Sequence, residues 1–177
     1  MTWDNGCART DLPASGKPPV LASLTMEAVV LCGMQGSGKT TLCRERFDGS
    51  HVRVSLDELR SRTREDALVT ECLESGRPFV VDNTNPTAAD RARYVAPARE
   101  AGFRVIGYLV DALTDEALAR NAARPGAQRV PDRGVARTAR RLLRPTPEEG
   151  FDELWHATAA PGGGFRIEPL TVTPPLF

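Results

Sequence analysis

Short continuous apolar runs alternate along the chain with longer, more polar segments that carry apolar residues at helical spacing. Four of the apolar runs predict buried parallel strands, at 28–32, 51–54, 79–82 and 103–110. Each is followed by a segment that predicts a helix, at 41–47, 55–75, 86–102 and 114–124. This alternation predicts an α/β fold in which a parallel sheet of about five strands is flanked by helices.

Cap and breaker residues mark several of the helix ends. Ser55 and Glu58 have capping-box spacing at the start of the second helix, and Gly76 follows its last residues. Thr114 predicts the cap of a later helix, with two acids in its first turn. Pro97 lies inside the helix predicted at 86–102 and indicates a kink or a break there.

The two ends of the chain differ in character. Residues 1–25 are polar, contain three prolines and show no periodicity, which predicts a disordered tail before one domain over 26–177. Near the other end, a loop at 125–131 precedes a helix predicted at 132–143. Apolar residues at 151–156 and 165–172 then predict a last strand or an edge pair.

Composition excludes several classes of protein. The chain has 177 residues, of which 41% are hydrophobic and 26% charged, and its formal net charge is zero, so it is not a polycation as a whole. The four cysteines lack metal-ligand spacing, and Cys32 and Cys43 lie where core thiols are expected, which predicts a reducing cytoplasm. No apolar run approaches the length of a membrane span.

The most informative motif is the run Gly-Met-Gln-Gly-Ser-Gly-Lys-Thr at 33–40, between the first strand and the first helix. Its glycines allow successive backbone N–H groups to turn toward a phosphate, at the positive end of the following helix. Lys39 is expected to reach the β- and γ-phosphates, and the Thr40 hydroxyl to bind Mg²⁺. The predicted nucleotide-binding residues are Gly33, Met34, Gln35, Gly36, Ser37, Gly38, Lys39, Thr40 and Thr41. A glycine-rich turn without a ligand is disfavoured by the strand before it and the helix after it.

Two acids follow neighbouring strands of the predicted sheet. Asp57 comes just after the second strand and Asp82 ends the third, so both are expected at the carboxyl edge, beside the phosphate loop. Phosphoryl transfer needs one carboxylate to accept the proton of the attacking hydroxyl and another to hold Mg²⁺ or its waters. Alternatively, Asp57 is an ordinary acid of a helix N-terminus and Asp82 caps the following turn.

Arginines are concentrated between 120 and 144, against one acid, Asp132. They are Arg120, Arg124, Arg129, Arg133, Arg137, Arg140, Arg141 and Arg144. Arg120 and Arg124 are expected on one helix face, next to a Pro-Gly loop, where they suit a lid over about 120–133 that closes on ATP. For Arg137, Arg141 and Arg144 a solvated helix face is the better interpretation.

Several motifs together resemble the 5′-hydroxyl polynucleotide kinases, the kinase module of the polynucleotide kinase-phosphatases, among the adenylate-kinase-like P-loop kinases. The resemblance covers roughly residues 27–155. Besides the phosphate loop, it is carried by Asp-Glu-Leu-Arg at 57–60, Val-Asp-Asn-Thr-Asn-Pro at 81–86 with Arg91 following, Arg120-Asn121 with Arg124, Val130-Pro131, and Pro-Thr-Pro-Glu-Glu-Gly-Phe at 145–151. The most specific of these runs are those at 81–86 and 145–151.

The resemblance implies roles for individual residues. Asp57 would be the general base on the 5′-hydroxyl and Arg124 the lid arginine on the ATP phosphates, with Lys39 as the third catalytic residue. Asp82 and Thr40 would hold the metal, and Arg120 and Arg124 would join the phosphate loop in nucleotide binding. The acceptor would be bound by Arg60, Asn83, Asn85 and Arg91. The chain departs from the family at Leu56, where many members carry Arg, and it has no Asp-x-Asp-x-Thr phosphatase motif.

The sequence therefore predicts a cytoplasmic kinase that requires ATP and Mg²⁺ and phosphorylates the 5′-hydroxyl end of DNA or RNA. One alternative is a kinase for a small molecule, such as a sugar, an antibiotic or a metabolite. Another is a nucleotide-binding regulator or toxin-like protein without repeated turnover. A guanine-specific GTPase is excluded, because its Asn-Lys-x-Asp motif is absent.

Overall fold

The computed structural model describes residues 25–112, 114–123 and 129–171, and the side chains of Thr114 and Glu116 are not described. All but the last residue of the predicted tail at 1–25, the lid arginine Arg124 and the predicted cap by the Thr114 side chain therefore lie outside the described part of the chain.

The described residues form one six-stranded sheet with the order β2-β3-β1-β4-β5-β6. The strands are β1 (Glu27–Cys32), β2 (Val52–Val54), β3 (Phe79–Val81), β4 (Arg104–Asp111), β5 (Glu153–Ala159) and β6 (Phe165–Pro169). The first five are parallel, and β6 pairs antiparallel with β5. This confirms the predicted α/β fold, with one edge strand more than the five expected.

Helices connect the parallel strands. They are α1 (Lys39–Phe47), α2 (Leu56–Leu59), α3 (Arg62–Ser75), α4 (Ala88–Glu100), α5 (Thr114–Ala122) and α6 (Asp132–Arg141), followed by a 3-10 turn at Pro147–Glu149. None of the helices in the described ranges combines the length and apolarity that crossing a membrane requires.

The central strand β1 is covered on both faces. Val30 and Cys32 pack with Val69 of α3 and Tyr94 of α4, whereas neighbouring β1 residues face Leu42 and Phe47 of α1. Because helices cover both faces, β1 is apolar from Ala28 to Cys32 rather than alternating, as a buried parallel strand requires. Burial also raises the pKa of the Cys32 thiol to about 12 and that of Cys43 to about 11, so these are core thiols as predicted.

The helix predicted from Ser55 is two helices. Arg60 adopts the left-handed conformation (φ 56°) and ends α2 after one turn, and α3 begins two residues later. The predicted capping box is wrong, because the Ser55 side chain accepts no capping hydrogen bond. The Glu58 carboxylate instead accepts from Arg53 Nη1 at 2.6 Å.

Of the kink or break predicted at Pro97, the break is wrong, because α4 is helical from Ala88 to Glu100. Pro97 lies in the last turn of α4. Only a short stretch of helix follows this residue, which lacks a backbone N–H donor. The helix is secured at its start by a capping box between Thr87 and Asp90, and Tyr94 and Val95 are buried in the core.

Candidate active site

The phosphate loop at 33–40 curls around its own lysine. Gly36 and Gly38 have φ values of 80° and 104°, which only glycine adopts without strain. Lys39 is buried, and its Nζ donates to the carbonyl oxygens of Gly33 at 3.0 Å and Met34 at 2.7 Å. Because α1 begins at Lys39, its positive N-terminal end points to the inside of this loop.

Two elements from the far end of the chain pack against the loop. A Cβ atom on Gly36 would lie 2.3 Å from the Ala117 carbonyl oxygen of α5. A Cβ atom on Gly38 would lie 3.1 Å from the Phe165 ring of β6 and 3.9 Å from Arg120 Nη1. Helix α5 and strand β6 therefore pack directly against the phosphate loop. Phe165 was not among the residues predicted from sequence, because no local pattern connects it with the loop.

The loop carries buried polar groups that no described residue satisfies. Ser37 Oγ and Gln35 Oε1 are buried and have no hydrogen-bond partner within residues 25–112, 114–123 and 129–171. Buried hydroxyls are normally satisfied. The glycine-rich turn around these two groups is of the kind whose backbone N–H groups bind phosphate oxygens.

The predicted metal-binding side chains lie together. Thr40 Oγ1 donates to Asp82 Oδ2 at 2.9 Å, next to the loop. Within the described ranges no group of three His, Cys, Asp or Glu side chains could hold a metal ion. A hydroxyl and a carboxylate do fit Mg²⁺, which takes few protein ligands and completes its shell with waters and phosphate oxygens.

Arg53 links this metal-binding pair to α2. Its Nε and Nη2 donate to Asp82 Oδ2 at 3.0 and 2.6 Å, and its Nη1 donates to Glu58 Oε1 at 2.6 Å. We call the series Thr40, Asp82, Arg53 and Glu58 the polar chain. It joins the phosphate loop to α2, which carries the exposed residues Asp57 and Arg60. Sequence reasoning missed Arg53, since a lone arginine in a short strand has no motif.

Three of the four predicted acceptor-binding residues are engaged inside the protein. Asn83 Oδ1 accepts from the Leu56 N–H at 2.9 Å, and Asn85 Nδ2 donates to the Leu31 carbonyl at 2.8 Å. Arg91 is fully buried and donates from Nε and Nη2 to the Glu149 carboxylate, both at 2.6 Å.

Arg91 Nη1 also donates to the carbonyl oxygens of Asn85 at 3.1 Å and Leu143 at 3.0 Å. These bonds hold the turn at 83–86 to α4 and to the segment after α6. The geometry therefore argues against the predicted acceptor contacts of Asn85 and Arg91, because their polar groups face protein acceptors. Arg60 is the predicted acceptor residue that is exposed.

The arginine-rich region is partly described. Arg120 lies near the phosphate loop, as its predicted role in nucleotide binding requires. Four arginines of α6 are exposed, namely Arg133, Arg137, Arg140 and Arg141. The face of α6 opposite them packs through buried Val135 against Met34 of the loop and Ala117.

The parallel sheet and the loop after β1 define a P-loop nucleotide-binding protein of kinase-like architecture. A family model described as an AAA domain (AAA_33) matches residues 29–145, and the chain belongs to that family.

The chain is 31% identical over 134 residues to the bifunctional polynucleotide phosphatase/kinase of Schizosaccharomyces pombe. The match covers 72% of this chain and 32% of that protein, so the chain spans about a third of its length.

Solved structures are similar at lower identity. Kti12 of Chaetomium thermophilum, in complex with ADP-AlF3, matches with a TM-score of 0.57 at 16% identity, covering 74% of this chain and 88% of that one. A gluconokinase from Sinorhizobium meliloti matches with a TM-score of 0.53 at 17% identity, covering 76% and 84%. At these identities the likeness concerns the fold alone.

Proposed function

We propose that the protein is a kinase that transfers the γ-phosphoryl group of ATP to the 5′-hydroxyl end of DNA or RNA, with Mg²⁺. The observation that carries this proposal is the polar chain, which joins the phosphate loop to the helix bearing Asp57. The similarity to a bifunctional polynucleotide phosphatase/kinase supports the choice of acceptor.

On the nucleotide side, the loop N–H groups and Lys39 bind the phosphates of ATP. Lys39 exchanges its two carbonyl acceptors for phosphate oxygens as the nucleotide enters. Thr40 and Asp82 would hold Mg²⁺ or its waters, and the ion supplies charge neutralisation on the transferring group. Arg120, with Arg124 in a closing lid over about 120–133, adds positive charge.

On the acceptor side, Asp57 accepts the proton of the attacking hydroxyl. The hydroxyl oxygen bonds to the γ-phosphorus while the bond from that phosphorus to the bridging oxygen of ADP breaks, and ADP leaves with the electron pair. Arg60 binds a phosphate of the acceptor strand, because its exposed guanidinium flanks the same turn as Asp57.

The test is transfer from γ-labelled ATP to an oligonucleotide with a 5′-hydroxyl end, beside the same oligonucleotide with a 5′-phosphate. We expect label on the first only, and none with the Lys39→Met protein, which controls for contaminating kinases. Parallel reactions with DNA and RNA define the preferred acceptor. No labelled oligonucleotide, with an active and folded protein, would contradict the proposal.

A small-molecule acceptor is the second candidate. It is favoured by Leu56, which stands where many polynucleotide kinases carry Arg, and by the internal engagement of Asn85 and Arg91. A panel of sugars, antibiotics and metabolites in the same assay distinguishes the two. Label on a small molecule alone would favour the second candidate, and ATP binding without turnover on any acceptor would indicate a regulator.

A further inference from the structure

Helix α2 has little of its own to hold it in place. It is a single turn of four residues, and none of them is buried. Its N-cap residue, Ser55, makes no side-chain capping bond. One isolated turn is unstable in water, because fixing its backbone costs more than its one or two hydrogen bonds return. The position of α2, and with it that of Asp57 and Arg60, must depend on contacts from other elements.

Asn83, which follows the neighbouring strand β3, holds the first residue of α2 with a hydrogen bond. Its Oδ1 accepts from the backbone N–H of Leu56, the first residue of α2, at 2.9 Å. The first four N–H groups of a helix have no partner within it, and an N-cap side chain reaches only the second or third of them. Here a residue that follows β3 satisfies the first one, so the turn after β3 is tied to the start of α2.

A fully buried carboxylate decides which way the Asn83 amide points. Glu65 of α3 is 0% exposed, and its Oε1 lies 2.5 Å from Asn83 Nδ2 and 3.1 Å from the Tyr94 hydroxyl. Its Oε2 accepts from Arg62 Nη1 at 2.6 Å. A carboxylate paired with arginine accepts hydrogen bonds only, so the amide NH₂ of Asn83 must face it. The carbonyl oxygen of Asn83 must then face Leu56.

We propose that Glu65 is a positioning residue for the acceptor half of the reaction, acting through Asn83 on α2. The series from Glu65 to the Asn83 amide and the Leu56 N–H orients the turn that presents Asp57 and Arg60. This rests on the proposed function, because it takes Asp57 and Arg60 to act on the acceptor. It assigns nothing on the nucleotide side, where neither Glu65 nor Asn83 touches the loop.

The first test is Glu65→Gln, which keeps the shape but replaces one of the two oxygens that accept from Asn83 and Arg62 with an NH₂ donor. We expect the Michaelis constant for the acceptor to rise and kcat to fall. As a result, kcat/KM for the acceptor should fall by about tenfold or more, as for other misplaced reacting groups. The Michaelis constant for ATP should stay unchanged. Hydrogen exchange of the Leu56 amide, measured without any substrate, should become faster.

The matched control is Asp66→Asn, on the same helix and with the same change of charge. Asp66 is an exposed partner of Arg93 at 2.8 Å and has no bond to Asn83. It should leave both Michaelis constants and the Leu56 exchange rate at their wild-type values. Equal effects of the two variants would attribute the change to charge or to α3 stability and overturn the proposal.

The second test exchanges donor and acceptor across the pair. In the Glu65→Gln, Asn83→Asp double variant, the Gln NH₂ donates to the Asp carboxylate, whose other oxygen still accepts from the Leu56 N–H. We expect the double variant to recover most of the acceptor affinity lost in Glu65→Gln. Asn83→Asp alone places a second carboxylate against Glu65. It should therefore have the lowest acceptor affinity of the three variants.

If Glu65→Gln does not fold, Asn83→Ser decides, since Asn83 is half-buried and its truncation removes both the bond to the Leu56 N–H and the donor to Glu65. The inference fails if a folded variant shows normal Leu56 exchange and normal acceptor kinetics while Asp57→Asn is inactive. Failure of the proposed function is distinct, because the wild-type protein would then label no oligonucleotide. If it labels a small molecule instead, the same comparison is made with that acceptor.

Discussion

Lys39 is a buried charge that serves the phosphate loop before any ligand arrives. Its ammonium group is held by two carbonyl oxygens of the loop, which keep the loop curled and the charge solvated by dipoles. The side chain therefore has both a conformational and an electrostatic role, and substitution must separate them.

Replacement of Lys39 by Met keeps the apolar stem and removes the charge. We expect phosphoryl transfer to fall by about 10²-fold or more, the scale for losing one preorganised donor at a transition state. Loss of two buried hydrogen bonds, offset by removal of a buried charge, should lower the free energy of unfolding by about 1–3 kcal/mol. The assay is γ-phosphoryl transfer beside a denaturant melt, and near-normal transfer by the folded variant would contradict the kinase proposal.

The two acids of the site should respond differently to the same change. Asp57→Asn is expected to lower kcat by roughly 10² while ATP affinity is kept, because it removes a proton acceptor. Asp82→Asn should instead raise the Mg²⁺ concentration needed for half-maximal rate, since Asp82 bonds Thr40 and Arg53 beside the loop. Weakened ATP binding with a normal rate in Asp57→Asn would reassign Asp57 to metal binding or structure.

At the scale of elements, the contact of α5 with the phosphate loop can be tested through a glycine. In Gly36→Ala the new methyl group would lie 2.3 Å from the Ala117 carbonyl, so α5 must move away. We expect affinity for a non-hydrolysable ATP analogue to fall by about tenfold or more, measured by calorimetry. Gly49→Ala is the matched control, because Gly49 has a similar φ of 76° with nothing within 4 Å of its Cβ position. Equal affinities in the two variants would show that this contact is not needed.

Arg91 holds two elements together rather than facing solvent. It pairs with Glu149 after α6 and bonds two carbonyls, with no exposed surface. Arg91→Ala should lower the free energy of unfolding by about 3 kcal/mol, because the partly buried Glu149 carboxylate and two carbonyl oxygens lose their donor. A denaturant titration measures this. Unchanged stability with a raised Michaelis constant for the acceptor would restore the role first predicted from sequence.

The sequence predicted the elements whose signals are local. Apolar runs gave the strands, and one contiguous motif gave the phosphate loop. The left-handed Arg60 was not predictable, since nothing marks a non-glycine residue for that conformation. Arg53 and Glu65 were missed because their partners, Asp82 and Asn83, lie 29 and 18 residues away along the chain. The residues that hold this site in place do so through hydrogen bonds between distant parts of the chain, which a local pattern does not show. The residues they hold lie in recognisable sequence motifs.

At the scale of the whole molecule, a zero net charge conceals one basic surface. We define the basic surface as Arg133, Arg137, Arg140 and Arg141, all exposed on α6. The segment after α6 is joined to the turn that follows β3, because the Leu143 N–H donates to the Pro86 carbonyl at 2.8 Å. Under the proposed function we expect a long acceptor strand to contact this surface, which a small acceptor cannot do.

The dependence of acceptor affinity on salt distinguishes a polynucleotide from a small neutral acceptor. With ATP analogue saturating, a single strand that contacts two or three phosphate-binding arginines should lose affinity with a log–log slope of roughly −1.5 to −2, at about −0.7 per phosphate neutralised. Arg60→Ala should weaken binding and make this slope shallower by about one contact.

The double variant Arg133→Ala, Arg137→Ala should weaken binding and flatten the slope for long oligonucleotides. It should not do so for a dinucleotide, which is too short to reach α6. Arg77→Ala is the control, because this exposed arginine precedes β3 at the opposite edge of the sheet and pairs with Glu71. A flat salt dependence in the wild-type protein would count against the polynucleotide, since a neutral acceptor releases no counterions on binding.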